Sequence, residues 1–194
     1  MFNIISDWVT LIAGILVVAA GIATLFGVWI VFKTWKTWKK QQTFIYEMDL
    51  LLEAEVAISD IYANTFHRFS RVYTIQKNVL NSKKSDENDY ILKKLAEKNQ
   101  EQLDLYEKDE NEFFELNRKY QTVKQKIEFM GIDYIDEFDP YEHEMFVQGI
   151  KDETFMYDDL ATLENYAKGV MYKIGERKKG CLEKMKEFRK ELYS

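Results

Sequence analysis

Two histidines, His67 and His143, and one cysteine, Cys181, are all this 194-residue chain offers for metal-ligating or nucleophilic nitrogen and sulfur. A zinc-type site needs several such ligands converging at defined spacing. The local candidate is Glu142-His143-Glu144. On a helix, successive side chains point about 100° apart, so these three cannot converge on one ion. No glycine-rich phosphate loop follows a strand, and no serine sits between the glycines of a nucleophile elbow. A lone cysteine cannot form an intrachain disulfide, which fits a reducing cytoplasm. Cys181 also falls on an apolar helical stripe and reads as a buried, inert thiol. His67, Arg68 and Arg71 lie beside Phe66 and Phe69 on one helical stretch. They form the candidate contact for a small anion or nucleotide, and the same spacing equally describes a solvated helix face. The expectation is therefore no enzyme: no catalytic residue, no cofactor and no metal.

The elements that carry these residues begin with a membrane span. Residues 8–32, from Trp8 to Phe32, form an uncharged run. About 20 apolar residues cross the hydrocarbon core as a helix, and no second run of this kind follows. A cleaved signal peptide has a basic start and an apolar core of about 7–15 residues. Here residues 1–7 carry only Asp7, and the apolar run is much longer. The expectation is one uncleaved transmembrane helix.

Lys33, Lys36, Lys39 and Lys40 follow the span and none precedes it. Lysines flanking a span mark its cytoplasmic side, and indole rings settle at headgroup level. Residues 1–7 are thus expected outside and the rest of the chain inside, in the layout of a bacterial inner-membrane protein. Residues 33–42 read as a collar on the lipid surface. Its anchors are Trp8, Trp29, Lys33, Trp35, Lys36, Trp38, Lys39 and Lys40. Basic residues interleaved with aromatics also occur in nucleic-acid binding, but a chain of net charge −6 lacks the broad basic surface this needs.

Inside the span, Thr10, Gly14, Val17, Gly21, Thr24, Val28 and Val31 alternate spacings of four and three. Small residues let membrane helices approach closely, and a strict 3.5 period implies a left-handed crossing. The seam Thr10, Gly14, Val17, Gly21, Thr24 and Val28 points to a homo-oligomer. Membrane helices in general are rich in small residues, so a seam of this sort also arises without function.

The remainder, residues 43–194, reads as all-α. Its one proline is Pro140, and no glycine occurs between Gly27 and Gly131. Apolar spacing predicts helices at about 43–80, 90–130, 139–148 and 158–192. No breaker separates the first from the span, so one helix is expected to run through both. The second keeps a heptad register from Leu92 to Met130, broken by Asn99, Gln102 and Asp109. Those three read as a weakly buried, wet stretch. Asp139-Pro140 starts the short helix, and Gly131 sits where a C-terminal cap glycine belongs. Gly169, Gly175 and Gly180 make the last helix the least secure. They mark a bend or a close approach of another helix. Ser85 or Asp86 is the expected cap of the second helix, and residues 131–159 form an acidic segment.

Three long helices of similar length with short joins favour an antiparallel, coiled-coil-like three-helix bundle. Its first helix leaves the membrane, its second returns and its third leaves again. The functional expectation is a membrane-anchored interaction or scaffold protein that oligomerises and presents this bundle to a cytoplasmic protein partner. Two other classes fit the same features: an oligomeric membrane-perturbing effector of phage-defence or toxin type, and a membrane-anchored small-anion sensor.

Overall fold

The computed structural model describes residues 2–83, 89–132 and 138–191. Ser85, Asp86, the acidic residues Asp133, Asp136 and Glu137, and the terminal Leu192 lie outside the described residues. Among the described residues there are four helices and no strand: α1 Phe2–Ser82, α2 Asp89–Phe129, α3 Pro140–Thr154 and α4 Leu160–Glu191. The chain divides into two compact units, Met1–Glu47 and Met48–Ser194.

α1 is 81 residues long and unbroken, as the absence of proline and of any glycine after Gly27 allows. The first unit consists of its N-terminal part. This is a helix long and apolar enough to cross a membrane, and none of its apolar window is buried. Every residue from Trp8 to Tyr46 is exposed. The Thr24 hydroxyl donates to the Ala20 carbonyl at 2.8 Å, so that polar group is satisfied within the helix. Lysines fold back over indoles one turn earlier: Lys33 lies 5.3 Å from the Trp29 ring and Lys39 lies 5.7 Å from the Trp35 ring.

The second unit has its own apolar core. α1 contributes Leu51, Ala54, Ile58 and Ile61 at helical spacing, α2 contributes Phe113, Tyr120, Val123 and Ile127, and α4 contributes Ala167, Val170, Ile174 and Met185. From Tyr106 onward the heptad stripe of α2 is buried, apart from the half-buried Leu116 and Met130, while Leu92 is exposed. The polar interruptions meet polar residues of α1. Asn78 donates to Asn99 at 2.8 Å, Arg71 reaches Gln102 at 3.5 Å and Asp109 at 3.4 Å, and Asn64 donates to the Asp109 carbonyl at 2.7 Å. They form a polar ladder between two helices.

The helix ends follow from local chemistry. Gly131 takes φ 70°, its N–H donates to the Glu128 carbonyl and Ile132 N–H donates to the Ile127 carbonyl. This is a Schellman end, with the glycine in the left-handed conformation that side chains disfavour. Asp139 caps α3, its carboxylate accepting from the N–H groups of Tyr141 at 2.7 Å and Glu142 at 3.1 Å. α3 continues to Thr154, past the expected stop near residue 148, because Val147, Ile150 and Thr154 are buried on one face.

Two expectations need correction. Along α1, the partners on α4 run in reverse order: Glu55 with Arg189, Tyr62 with Cys181, Lys77 with Glu164. α4 therefore runs against α1 and not with it. The reason is α3, whose pairs Thr65 with His143 and Arg68 with Glu144 are followed by Gln76 with the Tyr157 carbonyl. Its 15 residues carry the chain along α1, at roughly 1.5 Å per residue, before α4 starts. The second correction concerns Gly169, Gly175 and Gly180. α4 passes through all three as one helix, and a methyl group at any of them would meet nothing within 4 Å. They are not sites of close helix approach.

Candidate buried polar site

Arg68 carries the least expected side chain in the second unit: a guanidinium with no solvent exposure. Thr65, Phe69 and Val72, all buried, surround it at helical spacing, so the core face of α1 takes the arginine inside. A buried cation is tolerated only with paired charges and filled hydrogen bonds. Glu144, in the first turns of α3, supplies both oxygens, at 2.7 Å from Nη1 and 2.8 Å from Nη2. This is the bidentate geometry that suits a planar guanidinium. From α2, Glu110 approaches at 3.3 Å and the Tyr106 hydroxyl at 3.2 Å. The guanidinium carbon also lies 5.3 Å from the Tyr106 ring and 5.5 Å from the Phe113 ring. Burial opposes the charge, yet the hydrogen bond and charge of Glu144, with Tyr106, hold the group above the ordinary arginine value. Three helices thus meet on one side chain.

His143 sits one residue before Glu144, also buried. Its Nε2 is 2.7 Å from the Thr65 hydroxyl, which itself donates to the Ile61 carbonyl at 3.0 Å. The hydroxyl proton is therefore spent, and Nε2 must carry the hydrogen; this tautomer is assigned from the hydrogen-bond pattern. Nδ1 has no partner. Burial pushes the imidazole down to about 4, with Glu144 acting to raise it and Arg177 and Arg68 acting to lower it. Aromatic rings box it in: Tyr62 edge-on at 4.8 Å, Phe138 at 5.2 Å and Phe113 stacked at 6.1 Å.

A neutral imidazole with a bare nitrogen, beside an arginine and a glutamate, has the composition of a catalytic group. What it lacks is access. The adjoining cavity, lined by Thr65, Phe69, Tyr106 and Ile150 among others, has a volume of about 10 Å³. That is no more than a single water occupies. The arrangement can lock α1, α2 and α3 together, and it offers a substrate no room.

The residues singled out from sequence are placed as follows. His67 is exposed, Arg68 is committed to the carboxylates, and Arg71 pairs with Asp109, so the three do not converge on a common point. Thr10, Gly14, Val17, Gly21, Thr24 and Val28 all lie on the exposed surface of α1, as do Trp8, Trp29, Lys33, Trp35, Lys36, Trp38, Lys39 and Lys40. Cys181 is half-buried, 3.5 Å from the Tyr62 hydroxyl. Burial and that thiol push the Tyr62 phenol up. Among the described residues no cluster of three His, Cys, Asp or Glu side chains is placed to hold a metal ion.

The partners of Arg68 and His143 were not legible as such: Glu144 stood out only within Glu142-His143-Glu144, Thr65 and Tyr106 only as members of helical stripes, and Glu110 not at all. One signal was available: Arg68 lies three residues after Thr65 and four before Val72, on the buried stripe itself. An arginine on a core stripe needs an acid from another element. A more open groove, about 700 Å³, lies along α1 and α2 between Glu53, Leu116 and Val123, rimmed by Glu112, Arg118, Lys119 and Lys126. The chain matches no protein-family model, no curated protein and no solved structure.

Proposed function

We propose that the chain is a non-enzymatic, single-pass membrane protein that self-associates through its span and presents an antiparallel helical bundle to a cytoplasmic protein partner. The observation that carries the proposal is the exposure of the apolar run. Val17, Leu25 and Val31 are each about two-thirds or more exposed, and no residue of their own unit covers them. Apolar surface of that length is stable in hydrocarbon and unstable in water. Trp8 at one end, and Trp29, Trp35 and Trp38 with four lysines at the other, supply the interfacial belt. The lysine asymmetry supports a bacterial inner-membrane protein with its N-terminus out and residues 43–194 in the cytoplasm. The carboxylates that hold Arg68 and the lack of room beside it support a structural role for the second unit over anion sensing.

Topology tests the proposal. In everted membranes the second unit should be digested by added protease and in sealed cells it should be protected, and alkaline carbonate should leave the chain in the pellet. Protection with the opposite sidedness, or extraction by carbonate, would refute it.

A further inference from the structure

Lys33, Lys36, Lys39 and Lys40 follow the apolar run, and no Asp or Glu occurs between Asp7 and Glu47. The structure sorts these lysines into two pairs. Lys33 and Lys39 each have an indole one turn earlier, with the ammonium 5.3 Å from the Trp29 ring and 5.7 Å from the Trp35 ring. Those rings offset part of the charge. Lys36 and Lys40 differ. One turn before Lys40 stands Lys36 itself, and like charges four residues apart destabilise a helix. Among the described residues, no ring or carboxylate is placed against either ammonium. The pair is a concentrated positive charge whose counter-ion the surrounding helix does not supply.

We infer that Lys36 and Lys40 together hold the phosphate of an anionic phospholipid. The inference rests on the reading of residues 8–32 as a membrane span. Depth supports it. On a helix Lys36 lies about 6 Å beyond Phe32, and Lys40 about 12 Å. The headgroup layer is about 5–8 Å deep. Helix side chains lean toward the N-terminus, here toward the bilayer, as Lys33 and Lys39 do over their indoles. Lys36 therefore starts inside the phosphate layer, and Lys40 reaches back toward it. An anion between two ammonium groups one turn apart replaces their repulsion with two attractions. A zwitterionic lipid brings its own cation to the same place and relieves the repulsion less. Soluble phosphate carries the right charge, but only a lipid is concentrated at this depth.

Lipid retention by the full chain tests the assignment. The chain is reconstituted in nanodiscs of equal parts phosphatidylglycerol and phosphatidylcholine and released in mild detergent. Its retained lipid is identified by native mass spectrometry. An excess of phosphatidylglycerol is expected. Lys36→Gln with Lys40→Gln should lower that excess about fivefold for each lysine removed, and Lys36→Arg with Lys40→Arg should keep it. Lys33→Gln with Lys39→Gln removes the same charge and should leave the excess nearly unchanged. Equal losses from the two Gln pairs overturn the inference in favour of a diffuse collar of charge. No preference for phosphatidylglycerol in a chain that enters the nanodiscs overturns it and leaves the span standing. Displacement of the lipid by inorganic phosphate, or by a single-stranded oligonucleotide, at matched phosphate concentration overturns it in favour of that ligand. A chain that enters no nanodisc overturns the span reading as well.

Discussion

At the scale of single residues, the second unit hangs on how Arg68 and His143 are satisfied. Removing one member of a buried ion pair leaves an uncompensated charge and costs about 3–5 kcal/mol. Glu144→Ala strips Arg68 of both its short hydrogen bonds. It should lower stability by an amount of that order in denaturant titration followed by helical circular dichroism. The double variant Arg68→Met with Glu144→Leu should recover much of the loss, since apolar replacement of a whole buried pair is often neutral. His143 gives a pH signature. Unfolded, its imidazole takes up a proton near 6.5, whereas folded it does so only near 4. Between those values the unfolded chain binds more protons, so stability rises with pH across the window. The contribution is full above about 6.5 and is lost as the pH falls through about 4, with a slope of up to about 1.4 kcal/mol per pH unit. His143→Gln keeps a donor for Thr65 and should flatten that part of the profile. An unchanged profile would mean that the ring titrates normally in the folded chain.

At the scale of elements, α3 and α4 are where sequence and structure part most instructively. The start of α3 was legible because its signals are local: Asp139 as cap and Pro140 in the first turn need only neighbours in the chain. Its length was not. Val147, Ile150 and Thr154 are held by burial against other helices, which no local signal records. The glycines of α4 read as weak points or crossing sites, because a glycine in sequence does not say which face it occupies. All three turn out to face open space. The consequence is a prediction opposite in sign to a packing role. Gly169→Ala and Gly175→Ala should each stabilise the unit by about 0.5–1 kcal/mol, as alanine does at an exposed helix interior. Thermal melts of the full chain in nanodiscs would show it, and a destabilised variant would mean that these positions are covered by a partner.

At the scale of the whole molecule, the question is what the exposed surfaces of α1 are for. The span's seam contains Gly14 and Gly21, where added side chains would meet nothing in a single copy. In a close-packed oligomer they would collide with a neighbouring helix. Gly14→Leu with Gly21→Leu should therefore shift the detergent-solubilised chain toward monomer in analytical ultracentrifugation, while its helical content and membrane insertion stay unchanged. An unaltered mass would remove the span from the association.

The sequence by itself determined the class of the protein and the nature of its first helix. All-α structure follows from helical apolar spacing without glycine or proline breaks, and the apolar length of residues 8–32 is a property of composition alone. These are local quantities, readable from neighbours in the chain. Only the tertiary structure decided that α4 runs against α1, that Arg68 is spent on Glu144 and Glu110, and that His143 is shut in a box of aromatic rings. Each of those depends on residues far apart in the chain meeting across helices, such as Arg68 with Glu144, Tyr62 with His143 and Glu55 with Arg189. Burial and charge pairing set such meetings between elements, and the periodicity within any one element carries no record of its partner.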